Sequence, residues 1–135
     1  MLIKFLNAIK IHLYLFILMV CLTLSCDKDG IEKEFGRYSV GISYESNEVV
    51  ELHFIMDGEQ LGVMRPVLGV NPSYIEDCNK LADQDQLINV IGFDKITTGH
   101  HKLEIKTSGG NLLKTLMFEM LNGQCVVQDT KISLN

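Results

Sequence analysis

The chain lacks the short motifs that mark the common kinds of catalytic site. No Gly-x-Ser-x-Gly elbow surrounds any serine, which argues against a hydrolase nucleophile. Gly109-Gly110 stands between two strand-like segments rather than before a helix, so no phosphate-binding loop is indicated. Tryptophan is absent, and the only two prolines, Pro66 and Pro72, are close together. The sequence therefore predicts a protein that is not an enzyme and uses no cofactor.

Metal-binding signals are equally sparse. Adjacent residues on a strand point to opposite faces, so His100 and His101 are not expected to share one ion, even with His53 added. Asp83-x-Asp85 begins like a calcium loop, but Ile88 occupies the position of the turn glycine. We therefore expect solvated turn histidines and no metal site.

Long apolar runs and an excess of basic residues are also missing. The apolar stretch of residues 11–25 is about fifteen residues long, short of the roughly 20 that a spanning helix requires. Removing residues 1–25 removes two lysines and no acidic residue, which changes the net charge from −5 to −7. Such an acidic domain repels nucleic acid and suits a basic protein partner.

The first 25 residues have the layout of a secretory signal peptide. Lys4 and Lys10 supply positive charge, an apolar core follows, and the small residue Ser25 precedes the expected cleavage site. An uncleaved membrane anchor is the alternative interpretation, and the short core argues against it. Residues 1–25 are therefore predicted to be removed.

The segment Leu22-Thr23-Leu24-Ser25-Cys26 resembles the lipobox of bacterial lipoproteins, although Thr23 stands where that family usually has leucine. The resemblance is confined to residues 1–30. It implies a diacylglycerol group on Cys26 and anchoring to the outer membrane, either at the cell surface or facing the periplasm. Residues 26–34 then form an acidic linker, similar to the export tag of some surface lipoproteins. An ordinary secreted protein is the alternative.

Two cysteines remain once Cys21 leaves with the signal peptide and Cys26 carries lipid. In an oxidising compartment, Cys78 and Cys125 are expected to form a disulfide. The bridge would close a loop of about 48 residues, for which the chain-entropy model gives roughly 4 kcal/mol. Two buried, unpaired thiols are the alternative.

Alternating apolar and polar residues predict that residues 35–135 form one all-β domain. Asp57-Gly58 and Asn122-Gly123 are typical of two-residue type I′ hairpins. Residues 93–100 are predicted to be a turn-rich connection. The predicted strands are 38–45, 50–56, 59–65, 86–92, 102–106, 112–120 and 125–134. About seven short strands favour an antiparallel β-sandwich, with a small β-barrel as the alternative.

The segment from Ile96 to Leu103 resembles the strand entry of immunoglobulin-like extracellular modules. In those modules a Gly-His pair precedes an alternating strand and a glycine-bearing hairpin. The hairpin predicted from Val50 to Leu61 is similar to a second hairpin that such modules carry. The resemblance implies an immunoglobulin-like sandwich, although this chain has no tryptophan.

Residues 66–86 form the longest interruption of the strand pattern, with Pro66 and Pro72 at its start. Residues 77–82 are predicted to form a helical turn that carries Cys78. Long ordered loops concentrate binding residues, so the predicted partner-binding residues are Arg65, Tyr74, Glu76 and Asp77. Two functions stay open. The chain is either an envelope-anchored module that binds a protein or glycan, or an immunity protein that neutralises a toxin or enzyme in the same compartment.

Overall fold

A computed structural model of the chain describes residues 34–134, apart from the side chains of Asp83 and Gln84. The predicted signal peptide, Cys26 and nearly all of the acidic linker lie outside this range, so lipidation stays a prediction. Within residues 34–134, no helix has the length and hydrophobicity needed to cross a membrane. The elements are β1 (Phe35–Glu45), β2 (Leu52–Met56), β3 (Glu59–Met64), a 3₁₀ helix (Cys78–Gln86), β4 (Val90–Thr97), β5 (Gly99–Thr107), β6 (Leu112–Met120) and β7 (Cys125–Ser133).

The seven strands form two sheets that pack face to face. Sheet A has three strands in the order β4-β1-β7, and sheet B has four in the order β3-β2-β5-β6. Neighbouring strands are antiparallel except β1 and β7, which run parallel with Tyr38 opposite Val126. The predicted β-sandwich is confirmed, and the barrel alternative is wrong because the sheets stay open. Three and four strands are also the division in constant-type immunoglobulin domains, although the strand order here differs.

The period-two pattern directs alternate side chains of each sheet into a shared core. Tyr38 is fully buried there, and its ring stacks on Phe118 with the ring centroids 4.0 Å apart. The Tyr38 hydroxyl donates a hydrogen bond to Gln128 Oε1 at 2.8 Å, and burial raises its pKa. Gln128 Nε2 in turn donates to the carbonyl oxygen of Met117 at 3.3 Å. Gln128 therefore satisfies the one polar atom that Tyr38 brings into the core.

The two Asx-Gly signals have different outcomes. Asp57 and Gly58 have φ values of 50° and 92°, and they join β2 to β3 as the predicted hairpin turn. The hairpin prediction for Asn122-Gly123 is wrong, because β6 belongs to sheet B and β7 to sheet A. Only Gly123 of that pair has a positive φ, of 68°. Its turn carries the chain from one sheet to the other.

The predictions for residues 86–100 are also wrong in their boundaries. β4 covers Val90–Thr97, where a turn-rich connection was predicted from residue 93 onward. A bulge explains the difference, because the register with β1 shifts between Gly36 and Tyr38 and Lys95 adopts a φ of 58°. The bulge interrupts the alternation that identifies a strand, which resumes at buried Ile96.

Candidate binding surface around Tyr74

The segment between β3 and β4 covers the outer face of sheet A as a third layer. This face of β1 carries the small residues Ser39 and Gly41, which leave room for the segment to pack closely. A second apolar cluster forms there, separate from the core between the sheets. Its members are Ile75, Cys78, Leu81 and Val90, with Leu87 and Cys125 packed against them. The long loop is therefore packed against the domain along much of its length.

A disulfide fixes the far end of this loop. Cys78 and Cys125 are bonded with an S–S distance of 2.03 Å, which confirms the predicted pair. The predicted helical turn is present as the 3₁₀ helix that begins at Cys78. Arg37 on β1 adds two hydrogen bonds, from Nη1 to the Cys78 carbonyl oxygen at 3.1 Å and from Nη2 to Asn79 Oδ1 at 3.0 Å. The helix is thus tied to both β1 and β7.

Asn89 fixes the near end of the loop, a role that sequence reasoning missed. Its side chain accepts a hydrogen bond from Val67 N at 2.6 Å and donates to the carbonyl oxygens of Val67 at 2.9 Å and Val70 at 2.8 Å. Its own carbonyl oxygen accepts from Ile42 N at 2.8 Å. Asn89 is buried with a φ of 54°, a conformation that asparagine tolerates better than most residues. The local sequence around Asn89 does not indicate that its side chain binds the backbone of Val67 and Val70.

Tyr74 lies between these two fixed ends with 81% of its surface exposed. The preceding residue, Ser73, donates its backbone N–H to the Ile88 carbonyl oxygen at 2.9 Å. Ile88 N donates to Ser73 Oγ, also at 2.9 Å. Tyr74 is therefore an exposed aromatic side chain beside a fixed backbone. Exposed apolar residues accompany it on this loop, and we call the set the loop surface: Val67, Leu68, Val70, Tyr74 and Ile88.

The four predicted partner-binding residues do not share one location. Tyr74 and Glu76 are exposed on the same short segment. Asp77 is exposed as well, but its Oδ1 accepts a hydrogen bond from Asn79 N at 2.7 Å at the start of the 3₁₀ helix. Arg65 follows β3, and its Nε contacts Glu51 Oε2 at 3.3 Å rather than any residue near Tyr74. The structure thus brings three of the four together.

His101 is the second feature that the sequence did not reveal, and the expectation of a solvated turn histidine is wrong for it. It lies in β5, buried, with its ring stacked on Phe118. Its Nδ1 is 2.6 Å from Asp57 Oδ2 and its Nε2 is 2.7 Å from the Thr97 carbonyl oxygen. Both partners are acceptors, so both contacts are hydrogen bonds only when both ring nitrogens carry hydrogen. Each ring nitrogen of His101 is therefore engaged by an oxygen of another residue.

The contact with His101 also affects the pKa of Asp57. Partial burial raises its pKa, but hydrogen bonds from His101 and from the backbone N–H of Lys102 outweigh that effect. Together with the positive charges of His101 and Lys102, they hold the Asp57 pKa below its usual value. The carboxylate therefore joins the β2–β3 turn to β5. Its partner lies 44 residues away in the sequence, which is why a local pattern did not indicate it.

Three charged side chains on the outer face of sheet B are paired with one another. Lys102 Nζ and Lys106 Nζ contact the two oxygens of Glu104 at 2.9 and 2.8 Å. Hydrogen bonds from Lys106 and Lys102 lower the Glu104 pKa to about 2. The charges of these three side chains are therefore already engaged within β5.

No group of three or more metal-ligating His, Cys, Asp or Glu residues converges within residues 34–134. Comparison with known proteins finds no family model that matches the chain and no curated protein with significant sequence similarity.

Proposed function

We propose that the chain is a non-enzymatic, lipid-anchored binding module of the cell envelope that engages a protein partner through the loop surface. The observation that carries this proposal is Tyr74, whose side chain is 81% exposed beside a backbone held on both sides. A tyrosine in that position supplies a large contact area and a hydroxyl while losing little conformational entropy on binding.

The surroundings of Tyr74 favour a protein over a glycan as the partner. Val67, Val70 and Ile88 expose between 37 and 50% of their surfaces, so the tyrosine stands among aliphatic side chains. Exposed apolar groups that gather on one loop are typical of protein–protein contact sites. The bonds made by Asn89 hold the loop in place before a partner arrives, which reduces the ordering cost of binding.

Two features of the chain support the cell envelope as its location. The Cys78–Cys125 disulfide supports an oxidising compartment. The lipobox-like segment before Cys26 supports export and attachment to a membrane, on the outer-membrane surface or in the periplasm.

Site-specific photocrosslinking in the native cell tests the binding surface. A benzophenone-bearing phenylalanine analogue at position 74 should crosslink one defined protein, which mass spectrometry then identifies. The matched control places the same analogue at Met117 on β6, which is also highly exposed, at 62%. Equal crosslinking from both positions, or none from position 74, contradicts the proposal. A crosslinked toxin or enzyme would identify the chain as an immunity protein.

With the partner purified, Tyr74→Ala should weaken binding by about tenfold or more, as expected for a central aromatic contact. The same change should alter the free energy of unfolding by no more than about 0.5 kcal/mol, because the side chain is exposed. Met117→Ala is again the control and should leave the affinity unchanged.

The lipid anchor is tested separately at Cys26. Metabolic labelling with an alkyne palmitate should mark the native chain, and Cys26→Ser should abolish both the label and the membrane association. A Cys26→Ser chain that stays equally membrane-bound rules the anchor out.

A further inference from the structure

A narrow slot opens beside Tyr74 on the outer face of sheet A. It lies between β1, β7 and the loop, and its cavity volume is about 10 Å³. Gly41 makes the slot possible, because a Cβ at this position would collide with Asp129 Oδ1 and stand 3.0 Å from Pro72. The bare glycine lets the Asp129 carboxylate approach β1. We call this the Asp129 slot, lined by Ser39, Gly41, Ser73, Tyr74, Val127 and Asp129.

Two polar side chains of the slot, Ser39 and Asp129, lack a partner among residues 34–134. Ser39 Oγ is completely buried and has no hydrogen-bond partner within the described part of the chain. Ser73 Oγ already accepts from Ile88 N. The carboxylate of Asp129 forms no ion pair among residues 34–134, because Lys131, two residues along β7, binds Glu45 at 2.7 Å instead. Burying a hydroxyl without a partner is unfavourable, and an ionised carboxylate can only accept hydrogen bonds, so a ligand that donates hydrogen bonds suits both groups.

A primary ammonium group has the chemistry that this slot requires. It brings three N–H donors and a positive charge in a volume close to that of one water molecule. Ser39 Oγ and the Asp129 carboxylate would accept two of the donors. The ring of Tyr74, at the mouth of the slot, would cover the aliphatic stem that carries the ammonium group. A planar guanidinium is wider than an ammonium group, so the narrow slot favours lysine over arginine.

We propose that the Asp129 slot takes the ammonium group of a lysine side chain from the protein partner. This inference rests on the proposed function, since the slot adjoins the loop surface. The net charge of −5 supports it, because an acidic protein attracts a basic partner from a distance.

The test uses NMR titration of the full-length chain in detergent micelles, with an N-acetyl-lysine amide as the probe. The backbone amide signals of Ser39, Gly41 and Asp129 should shift and saturate in the millimolar range. The same compound acetylated on its Nζ should cause no saturable shift, because it has lost its charge and two of its donors. The arginine analogue should bind at least several-fold more weakly.

Two variants distinguish binding of the lysine probe in the Asp129 slot from general attraction between charges. Asp129→Asn should weaken the lysine probe by about tenfold, as expected when a charged hydrogen bond is lost. Glu119→Gln removes an exposed carboxylate on β6 of the other sheet and should change the affinity by less than about twofold. If the lysine probe leaves the slot amides unmoved, or if both variants weaken it equally, the slot holds water only and the inference is overturned. Because no partner protein is used, this result is independent of the crosslinking from position 74.

Discussion

Replacing Asn89 should loosen the loop surface while the two sheets stay folded. Its side chain makes three hydrogen bonds, all to the backbone of Val67 and Val70. Asn89→Gly removes these bonds but keeps the positive φ accessible. Each lost bond costs about 1 kcal/mol, so the free energy of unfolding should fall by about 2–3 kcal/mol. For a domain of this size that corresponds to a melting temperature lower by roughly 10–20 °C.

A second variant isolates the backbone conformation. Asn89→Ala removes the same three hydrogen bonds and also places a Cβ on a residue whose φ is 54°. The left-handed region costs a non-glycine residue about 1–2 kcal/mol. We therefore expect Asn89→Ala to be less stable than Asn89→Gly by about that amount, although glycine is the more flexible residue in the unfolded chain.

Urea denaturation measures both free energies, and hydrogen exchange locates the change. The amide of Val67 donates to Asn89 Oδ1, so it should lose its protection in both variants. The amides of β5, at the centre of sheet B, should keep theirs until global unfolding. If Asn89→Gly unfolds within about 0.5 kcal/mol of the native chain with Val67 still protected, Asn89 does not organise the loop.

Three further changes have calculable outcomes. Reducing the Cys78–Cys125 disulfide, which spans 47 residues, should lower the free energy of unfolding by about 3–4 kcal/mol in urea; a loss below about 1 kcal/mol contradicts the entropic reasoning. Gln128→Met leaves the buried Tyr38 hydroxyl without its acceptor and should cost about 1–3 kcal/mol, much of which Tyr38→Phe in the same chain should restore. The Asp57 pKa is held low despite partial burial, so the ionised carboxylate stabilises the fold above about pH 4, and this contribution is lost as the pH falls through the lower folded value. Asp57→Asn should therefore be less stable at pH 7 by no more than about 1 kcal/mol, since solvent screens this half-exposed carboxylate, and the difference should shrink as the pH falls below about 4; a difference that stays constant with pH refutes this.

The fold could be predicted where residues close together in the sequence determine the structure. The alternation of apolar and polar residues in β1 and β5 fixes which side chains face the core, and Asp57-Gly58 fixes the β2–β3 turn. Sheet assignment is not local. Asn122-Gly123 specifies a tight change of direction but says nothing of which sheet the next strand joins. The bulge at Lys95 hid most of β4 for a related reason, since the extra residue of a bulge reverses the face of every residue after it.

The candidate site was predictable in part. Composition pointed to the loop and to Tyr74, because prolines and cysteine constrain a segment that has no strand pattern. The residues that hold Tyr74 in place were not visible, since Asn89 acts through bonds to residues 19 and 22 positions earlier. The Asp129 slot is less visible still. It needs Ser39 and Asp129 on neighbouring strands, and only the parallel pairing of the first and last strands brings them together.

The two outer faces of the sandwich differ in how their charged side chains are paired. On sheet B, Glu104 is paired with Lys102 and Lys106, which lie two residues away on either side in the same strand. On sheet A, the outer face meets a loop whose packing is apolar, and the carboxylate of Asp129 lies at its margin without a described cation. An exposed aromatic ring, a buried unpaired hydroxyl and this carboxylate thus meet at one place. A partner that supplies an apolar contact and one positive charge would satisfy all three groups.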